Sequence, residues 1–114
     1  MPGKFELKTA SDGQFMFNLK AANGEVILTS ELYTRKENAL NGIESVRKNG
    51  GASANFERKT SVKGDNYFVL KATNGQVIGK SGMYASEAGM EKGIASVMTN
   101  AADSTLADLT QKKA

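Results

Sequence analysis

Few residue types in this chain of 114 residues could do chemistry. The chain has no histidine and no cysteine, so it lacks the commonest general base, the commonest metal ligand and every thiolate nucleophile. Catalysis would have to use Asp, Glu, Lys, Tyr or Ser alone. We therefore expect no enzyme activity, no catalytic residues, no metal and no cofactor.

Two motifs resemble enzyme signatures without meeting their requirements. The segment Gly75–Ser81 has three residues between its glycines, whereas a phosphate-binding loop has four and leads directly into a helix. Ser45 and Lys48 have the Ser-x-x-Lys spacing of acyl-transferring enzymes, but no companion motif occurs in the chain. We interpret both motifs as ordinary structural residues.

An internal repeat covers most of the chain and determines where any site can lie. Phe5–Thr9 aligns with Phe56–Thr60, and the offset of 51 residues then holds without a gap to Asn49 and Asn100. Identical residues occupy 20 of the 45 aligned positions, which chance does not produce. We predict one domain over residues 1–114, with repeat 1 at 5–51, repeat 2 at 56–102, and a closing strand and tail at 103–114.

Each repeat begins with the pattern of three strands. In repeat 1, apolar and polar residues alternate over 5–9 and 14–20, and a short β-branched segment follows over 25–29. Asn23-Gly24 lies between the second and third strands and predicts a type I′ hairpin turn. Asn74-Gly75 repeats this signal in the second copy.

A helix follows the third strand of each repeat. Thr34–Glu37 has the spacing of a capping box, with Thr34 as the N-cap residue, and Ser86 takes this role in repeat 2. Gly42 and Gly93 lie inside the helices, where glycine costs about 1 kcal/mol relative to alanine, so we expect a close approach of helix to sheet. The residues expected to face the sheet are Ala39, Ile43 and Val46 in repeat 1 and Met90, Ile94 and Val97 in repeat 2.

One repeat alone buries too little apolar surface to be stable, so the two repeats should share a core. The simplest arrangement is an α+β fold with one antiparallel sheet, two helices on one face and a pseudo-twofold axis between the repeats. We expect a monomer that contains this internal pseudo-dimer.

The doubled motif resembles that of the YegP-like family of small bacterial proteins. Leu19–Ile27, Ser30–Tyr33 and Gly42–Val46 carry the patterns Leu-Lys-Ala-x-Asn-Gly-x-Val-Ile, Ser-x-x-Tyr and Gly-Ile-x-Ser-Val, and the second copy repeats them. The resemblance implies two tandem β(3)-α-β repeats with exchanged last strands, so that 104–109 crosses to repeat 1 and 54–58 serves repeat 2. It implies no established biochemical activity.

The face of the sheet away from the helices is the most promising binding surface. Alternation along the strands sends these candidate binding residues to that face: Lys8, Met16, Lys20, Lys59, Tyr67 and Lys71. Ile27 and Ile78 are expected beside them. Glu6 and Glu57 also point outward, where they could meet across the pseudo-twofold axis as an acid dyad or alternate separately with Lys8 and Lys59 on a solvated face; we favour the second arrangement.

Three functions remain open at this point. We favour a non-catalytic module that engages a protein partner, or itself, through this face or an edge strand. A weak, sequence-tolerant nucleic-acid binder is the alternative, suggested by a pI near 9.2 and the duplicated lysines; an enzyme without His or Cys is the least favoured. We expect no membrane association and a cytoplasmic location, since no apolar run approaches the roughly 20 residues of a membrane span and no signal peptide is visible.

Overall fold

The part of the chain that the structure describes folds into seven strands, two α-helices and one short 3-10 turn. The computed structural model describes residues 3–102 and 104–110. In chain order the elements are β1 (Lys4–Thr9), β2 (Phe15–Lys20), β3 (Val26–Ser30), α1 (Lys36–Asn49), the 3-10 turn (Ser53–Asn55), β4 (Phe56–Thr60), β5 (Asn66–Lys71), β6 (Val77–Lys80), α2 (Glu87–Asn100) and β7 (Thr105–Asp108).

All seven strands form one sheet in the order β4-β5-β6-β3-β2-β1-β7. β3 and β6 meet antiparallel at its centre, where Thr29 pairs with Lys80 and Ser30 pairs with Gly79. Thr29 and Lys80 are equivalent positions of the two repeats, so the pseudo-twofold axis passes between them. The predicted α+β architecture, with two repeats sharing one sheet, is confirmed.

Both helices lie on the same face of the sheet and enclose the core. α1 contacts β1 and β2 of its own repeat and β5 and β6 of the other, whereas α2 contacts β5 and β3. The predicted helix stripe is buried in this core: Ala39, Ile43, Val46, Met90, Ile94 and Val97. The phenylalanine and leucine side chains of the strands in this core are Phe5, Phe17, Phe56, Phe68, Leu7, Leu19, Leu28 and Leu70. Neither repeat encloses the core by itself.

Gly42 allows α1 to lie directly against an aromatic pair. The ring of Tyr33 stacks on that of Phe17, with 6.4 Å between centroids and an interplanar angle of 8°. A Cβ atom on Gly42 would lie 2.6 Å from Tyr33 Oη and 2.9 Å from Phe17 Cε2, which is too close for non-bonded atoms. Gly93 meets Tyr84 in the same way in repeat 2. The predicted close approach of helix to sheet is confirmed.

The last strand crosses to repeat 1. β7 lies parallel to β1, with Asp108 opposite Leu7, and the Asp108 carboxylate lies 2.6 Å from Lys36 Nζ on α1. The crossing expected for residues 104–109 is confirmed, and the parallel pair makes the sheet mixed rather than wholly antiparallel. The equivalent segment 54–57 lies in the 3-10 turn and the beginning of β4, which pairs with β5. Among the described residues, the outer edge of β4 has no neighbouring strand.

The hairpin turns differ from the predicted type I′ turn. Gly24 has a φ of +88°, but Asn23 does not have a positive φ. Gly24 N–H donates to Ala21 C=O at 2.9 Å, and Ala21 N–H donates to Glu25 C=O at 2.9 Å, so the loop has three residues and only glycine is left-handed. Asn23 Oδ1 accepts Glu25 N–H at 3.0 Å, a local bond that favours this form. The other three hairpins have the same pair of backbone bonds, with glycine at the same place: Gly13, Gly64 and Gly75.

Helix α1 begins one residue later than the capping-box spacing predicts. Arg35 is the N-cap residue, and its side chain accepts no hydrogen bond from the first turn. The prediction of Thr34 is wrong because the backbone stays extended through Arg35, after two hydrogen bonds that join Tyr33 to Phe15. In repeat 2 the equivalent residue, Ser86, caps the helix as predicted.

The centre of the core departs from the repeat symmetry. Leu28 and Gly79 are equivalent residues on the core face, one on each side of the pseudo-twofold axis. A Cβ atom on Gly79 would lie 2.7 Å from both Leu28 Cγ and Leu28 Cδ2. One leucine side chain therefore fills the space beside the axis, and the glycine opposite makes room for it.

Replacing Gly42 by alanine should lower the free energy of unfolding by about 1–2 kcal/mol, although alanine is the better helix former. The added methyl group has to displace the rings of Tyr33 and Phe17. Chemical denaturation of the variant and the wild type measures the difference.

Gly51→Ala is the matched control, because nothing lies within 4 Å of a Cβ atom at that position. It should change the stability by less than about 0.5 kcal/mol. Equal losses in the two variants, or no loss in Gly42→Ala, would contradict the packing role of Gly42.

Candidate functional site

The six predicted binding residues all lie on the face of the sheet opposite the helices, here called the outer face. Each alternates along its strand with core residues, so its side chain leaves the other side of the sheet. Lys8 is paired with Met16 across β1 and β2, and Lys59 is paired with Tyr67 across β4 and β5. Lys20 ends β2 and Lys71 ends β5. The structure therefore brings the six residues together as two sets of three, one set on each repeat.

Ile27 and Ile78 do not lie on the outer face, contrary to the prediction. Both belong to the core and are only 6% and 7% exposed. Lys20 pairs with Val26 while the residue before it pairs with Leu28, so Ile27 is the extra residue of a β-bulge. The same shift in register occurs in repeat 2. A bulge sets two residues against one, which interrupts the alternation on which the prediction was based.

Glu6 is the centre of an ion cluster in repeat 1. Its carboxylate lies 3.1 Å from Lys20 Nζ, 3.4 Å from Lys4 Nζ and 3.6 Å from Lys8 Nζ. The residue is only 7% exposed, because it lies between two neighbouring strands among these lysine side chains. The hydrogen bond from Lys20 is the main cause that lowers the pKa of Glu6, and burial acts against it. The carboxylate is therefore ionised at neutral pH and offsets part of the lysine charge.

Repeat 2 contains a smaller and more open form of this cluster, with two lysines around Glu57 instead of three. Glu57 Oε1 lies 2.5 Å from Lys71 Nζ, and Glu57 Oε2 lies 3.8 Å from Lys59 Nζ. The Glu57 side chain is 44% exposed, against 10% for Glu6, because β4 is an edge strand and β1 is covered by β7. The hydrogen bond from Lys71, followed by the charges of Lys59 and Lys71, lowers the pKa of Glu57.

The centre of the outer face differs between the repeats. In repeat 1, Asn18 Nδ2 donates to Thr29 Oγ1 at 2.9 Å. The equivalent residues of repeat 2 are Val69 and Lys80, and Lys80 Nζ lies 4.9 Å from the centroid of the Tyr67 ring, within the range of a cation–π contact. Val69 is only 4% exposed, although it does not belong to the core cluster. Repeat 2 therefore supplies the more apolar half of the face.

Positive charge is concentrated on the outer face. Its strand positions carry six lysines and two glutamates, a formal charge of +4: Lys4, Lys8, Lys20, Lys59, Lys71 and Lys80 against Glu6 and Glu57. The whole chain carries +3, so all other residues sum to −1. Lys4 and Lys80 were missing from the predicted set, because Lys4 precedes the first predicted strand and Lys80 follows a bulge.

Glu6 and Glu57 do not form an acid dyad. They lie on β1 and β4, and four other strands separate β1 from β4 in the sheet. Five interstrand spacings of about 4.8 Å place them roughly 24 Å apart. Glu6 lies beside Lys8 and Glu57 beside Lys59, as the favoured alternative predicts, but Glu6 is buried rather than solvated.

The remaining motifs have structural roles. Ser81 Oγ accepts Phe68 N–H at 3.0 Å and donates to Gly82 C=O at 2.7 Å. Ser45 Oγ accepts a hydrogen bond from the Asn49 side chain at 3.2 Å. Within residues 3–102 and 104–110, no three Asp or Glu side chains lie close enough together to hold a metal ion. In the same part of the chain, neither helix has the length and apolar character needed to cross a membrane.

A polar cleft between the repeats was not predicted. It lies between α1 and the β5–β6 hairpin, where two adjoining cavities have volumes of about 330 and 370 Å³. Asn41, Ser45 and Asn74 line both cavities. The sequence carries no local signal for this cleft, because its two walls belong to different repeats and meet only through the shared core.

Two copies of a known domain account for most of the chain. The sequence model of the domain of unknown function DUF1508 matches residues 10–57 and residues 61–108. The two matches have the same offset as the internal repeat. The first ends at the beginning of β4, and the second ends with β7. The fold and the double match define the class as a tandem DUF1508 protein.

Relatives of nearly the same length specify the family. A UPF0339 protein of Pseudomonas aeruginosa is 57% identical over 108 residues, which cover 95% of this chain and 98% of that protein. YegP, a UPF0339 protein of Escherichia coli K12, is 54% identical over 110 residues, which cover 96% of this chain and all of YegP. The chain belongs to the UPF0339 family, as the YegP-like resemblance predicts.

Solved structures of two relatives have the same fold. The solution NMR structure of E. coli YegP matches with a TM-score of 0.92 at 52% sequence identity and covers 99% of this chain and 97% of that chain. The solution NMR structure of a UPF0339 protein of Shewanella oneidensis matches with a TM-score of 0.90 and covers 96% of this chain and 93% of that chain. Membership of the family establishes the fold and assigns no activity.

Replacing Lys20 by methionine should raise the pKa of Glu6 towards its ordinary value of 4.5, because the hydrogen bond from Lys20 is the main cause of its lowering. A lowered pKa stabilises the folded state above the ordinary pKa, and this contribution is lost as the pH falls through the folded value. Lys20→Met should therefore be less stable than the wild type at pH 7, and the difference should shrink below pH 4.5. NMR titration of the Glu6 carboxyl and denaturation at several pH values measure both effects.

Lys63→Met is the control, because Lys63 lies exposed in the turn between β4 and β5. It should leave the pKa of Glu6 and the pH dependence of stability unchanged. If the pKa of Glu6 were the same in Lys20→Met as in the wild type, Lys20 would not be the cause of its lowering.

Proposed function

We propose that the protein is a non-catalytic binding module whose outer face binds an acidic surface of a protein partner. The observation that carries this proposal is the formal charge of +4 on the outer face, against −1 for all other residues. Charge complementarity between two surfaces accelerates their encounter and discriminates against wrong partners. Met16 and Tyr67 lie among the lysines and supply side chains of the types that are enriched at protein interfaces.

The pKa shifts on the outer face support binding more than catalysis. Lysine neighbours lower the pKa of both Glu6 and Glu57. A general acid or base works best with a pKa near the working pH, and these carboxyls are shifted away from neutrality. Ion pairing that fixes the positions of lysine side chains is the role that fits them.

Nucleic acid is the second candidate, since the same lysines could contact phosphates. One feature favours a protein partner instead. Lys80 lies over one face of the Tyr67 ring, where a base would otherwise stack.

In this proposal the protein acts in the cytoplasm as a monomer, without metal or cofactor. The two lysine clusters lie roughly 24 Å apart, one on each repeat. A single partner would therefore contact both repeats at once, and the shared sheet would keep the two clusters at a constant separation.

Combining Lys20→Glu and Lys71→Glu with Tyr67→Ala should abolish binding to an acidic partner. The measurement is an NMR titration of the labelled protein at low salt with three separate probes: a Glu-rich peptide, a short single-stranded RNA and a short single-stranded DNA. We expect the peptide to shift the resonances of the six candidate residues in the wild type and to leave the triple variant unchanged.

Lys48→Glu combined with Lys92→Glu is the matched control, because it makes the same two charge reversals at exposed helix positions. Binding should survive in this control, and an equal loss there would contradict the assignment to the outer face. If the charge reversals of the triple variant unfold the protein, Lys20→Gln combined with Lys71→Gln takes the place of the triple variant. Shifts with RNA or DNA but not with peptide would replace the protein partner by nucleic acid, whose affinity should fall steeply with salt.

A further inference from the structure

The outer edges of β1 and β4 are equivalent in the repeat but differ in what covers them. β7 covers the edge of β1 as a parallel strand, in which Thr105 N–H donates to Gly3 C=O at 3.4 Å and Leu109 N–H donates to Leu7 C=O at 2.8 Å. The backbone carbonyl of Leu7 therefore points away from β2 and towards β7. The equivalent residue on β4 is Arg58, whose backbone carbonyl faces the open edge by the same symmetry.

Repeat 1 cannot supply a matching strand for the edge of β4. The residues equivalent to β7 are 54–57, and they run directly into β4 itself. Within the described ranges, no other segment pairs with that edge. Among the described residues, the edge of β4 therefore has no added strand, whereas the equivalent edge of β1 is covered by β7.

A cavity of about 280 Å³ marks this position beside β4. Its lining includes Arg58, Glu87 and Met90. The equivalent residues of repeat 1 are Leu7, Lys36 and Ala39, and this is the region in which β7 places Asp108 against Lys36. The cavity thus lies beside the strand position that the end of β7 occupies in repeat 1, and Asn66, which stands in place of the larger Phe15, also lines it.

The charge at this position is inverted between the two repeats. In repeat 1, Lys36 Nζ lies 2.6 Å from the Asp108 carboxylate. In repeat 2, Glu87 stands in place of Lys36 and makes no ion pair with the described residues. Arg58 is already engaged, since its guanidinium donates two hydrogen bonds to the Glu91 carboxylate. A strand added here would therefore meet a carboxylate that has no ion pair with the described residues.

We propose that the edge of β4 binds an extended peptide segment as an additional parallel strand. The segment carries an apolar residue opposite Phe56, as Leu106 lies opposite Phe5, and a lysine or arginine two residues later against Glu87. A second copy of this chain is a poor occupant, because its own β7 would bring Asp108 against Glu87. This site goes beyond the proposed function, since it uses the edge of the sheet and the core side rather than the outer face.

Two synthetic peptides test the proposal on the full chain. One has the sequence of residues 104–110, Ser-Thr-Leu-Ala-Asp-Leu-Thr, and the other has lysine in place of aspartate. Each is titrated into labelled protein to about 2 mM, a concentration that detects affinities in the millimolar range. We expect the lysine peptide to shift the amide resonances of β4 and Glu87, and to bind about two- to fivefold more tightly than the aspartate peptide.

The variant Glu87→Lys should reverse this preference, so that the aspartate peptide binds more tightly. Glu37→Lys is the matched control, because it makes the same change at an exposed position on α1, and it should leave the preference unchanged. A lysine peptide that is N-methylated at the leucine after the lysine should not bind, since that amide replaces Leu109 N–H. The proposal is overturned if the lysine peptide leaves β4 unshifted, if N-methylation has no effect, or if Glu87→Lys does not change the preference.

Discussion

Each helix packs on strands of both repeats, and this shared packing is the constraint on which the rest of the structure depends. α1 rests on β5 and β6 as well as on β1 and β2, so the core closes only when both repeats are present. Because both helices lie on one side of the sheet, the other side has no helix over it and carries mainly lysine and glutamate side chains among its charged groups. The outer face, with its charge and its two equivalent clusters, follows from the way in which the core is closed. β7 adds a second link by fastening the end of repeat 2 to the edge of repeat 1.

Much of this fold could be predicted because it depends on short-range periodicity that occurs twice. The helix stripe and the contact at Gly42 both belong to this class. Three features could not be predicted, each for a local reason. The turn at Asn23 lacks type I′ geometry, and the Asn23 side chain accepts a hydrogen bond from Glu25 N–H. Ile27 turns inward at a bulge. Arg35 rather than Thr34 is the N-cap residue of α1, because the preceding chain stays extended. The crossing of β7 was expected only from the family resemblance, since alternation within a single strand does not specify where an end strand docks.

The candidate site could be predicted as a face but not as a distribution of charge. Alternation along single strands placed the six candidate residues on the outer face, whereas the burial of Glu6 and the contact of Lys80 with Tyr67 depend on neighbouring strands. Differences between the repeats carry a signal that was available in the sequence. Repeat 1 has Leu7 at the position under β7, and repeat 2 has Arg58 at the same position on an open edge. A position that is apolar in one repeat and charged in the other thus indicates which repeat has its edge strand covered by a further strand.

The packing of the Leu28 side chain over Gly79 has a consequence for the ancestry of the chain. Two copies of the first half, assembled about the same axis, would force two leucine side chains into one space, and two copies of the second half would leave a hole between two glycines; both arrangements cost stability. Each half is therefore matched to the other and no longer to itself. A homodimer built from either present half is therefore disfavoured, so the two halves must be inherited together.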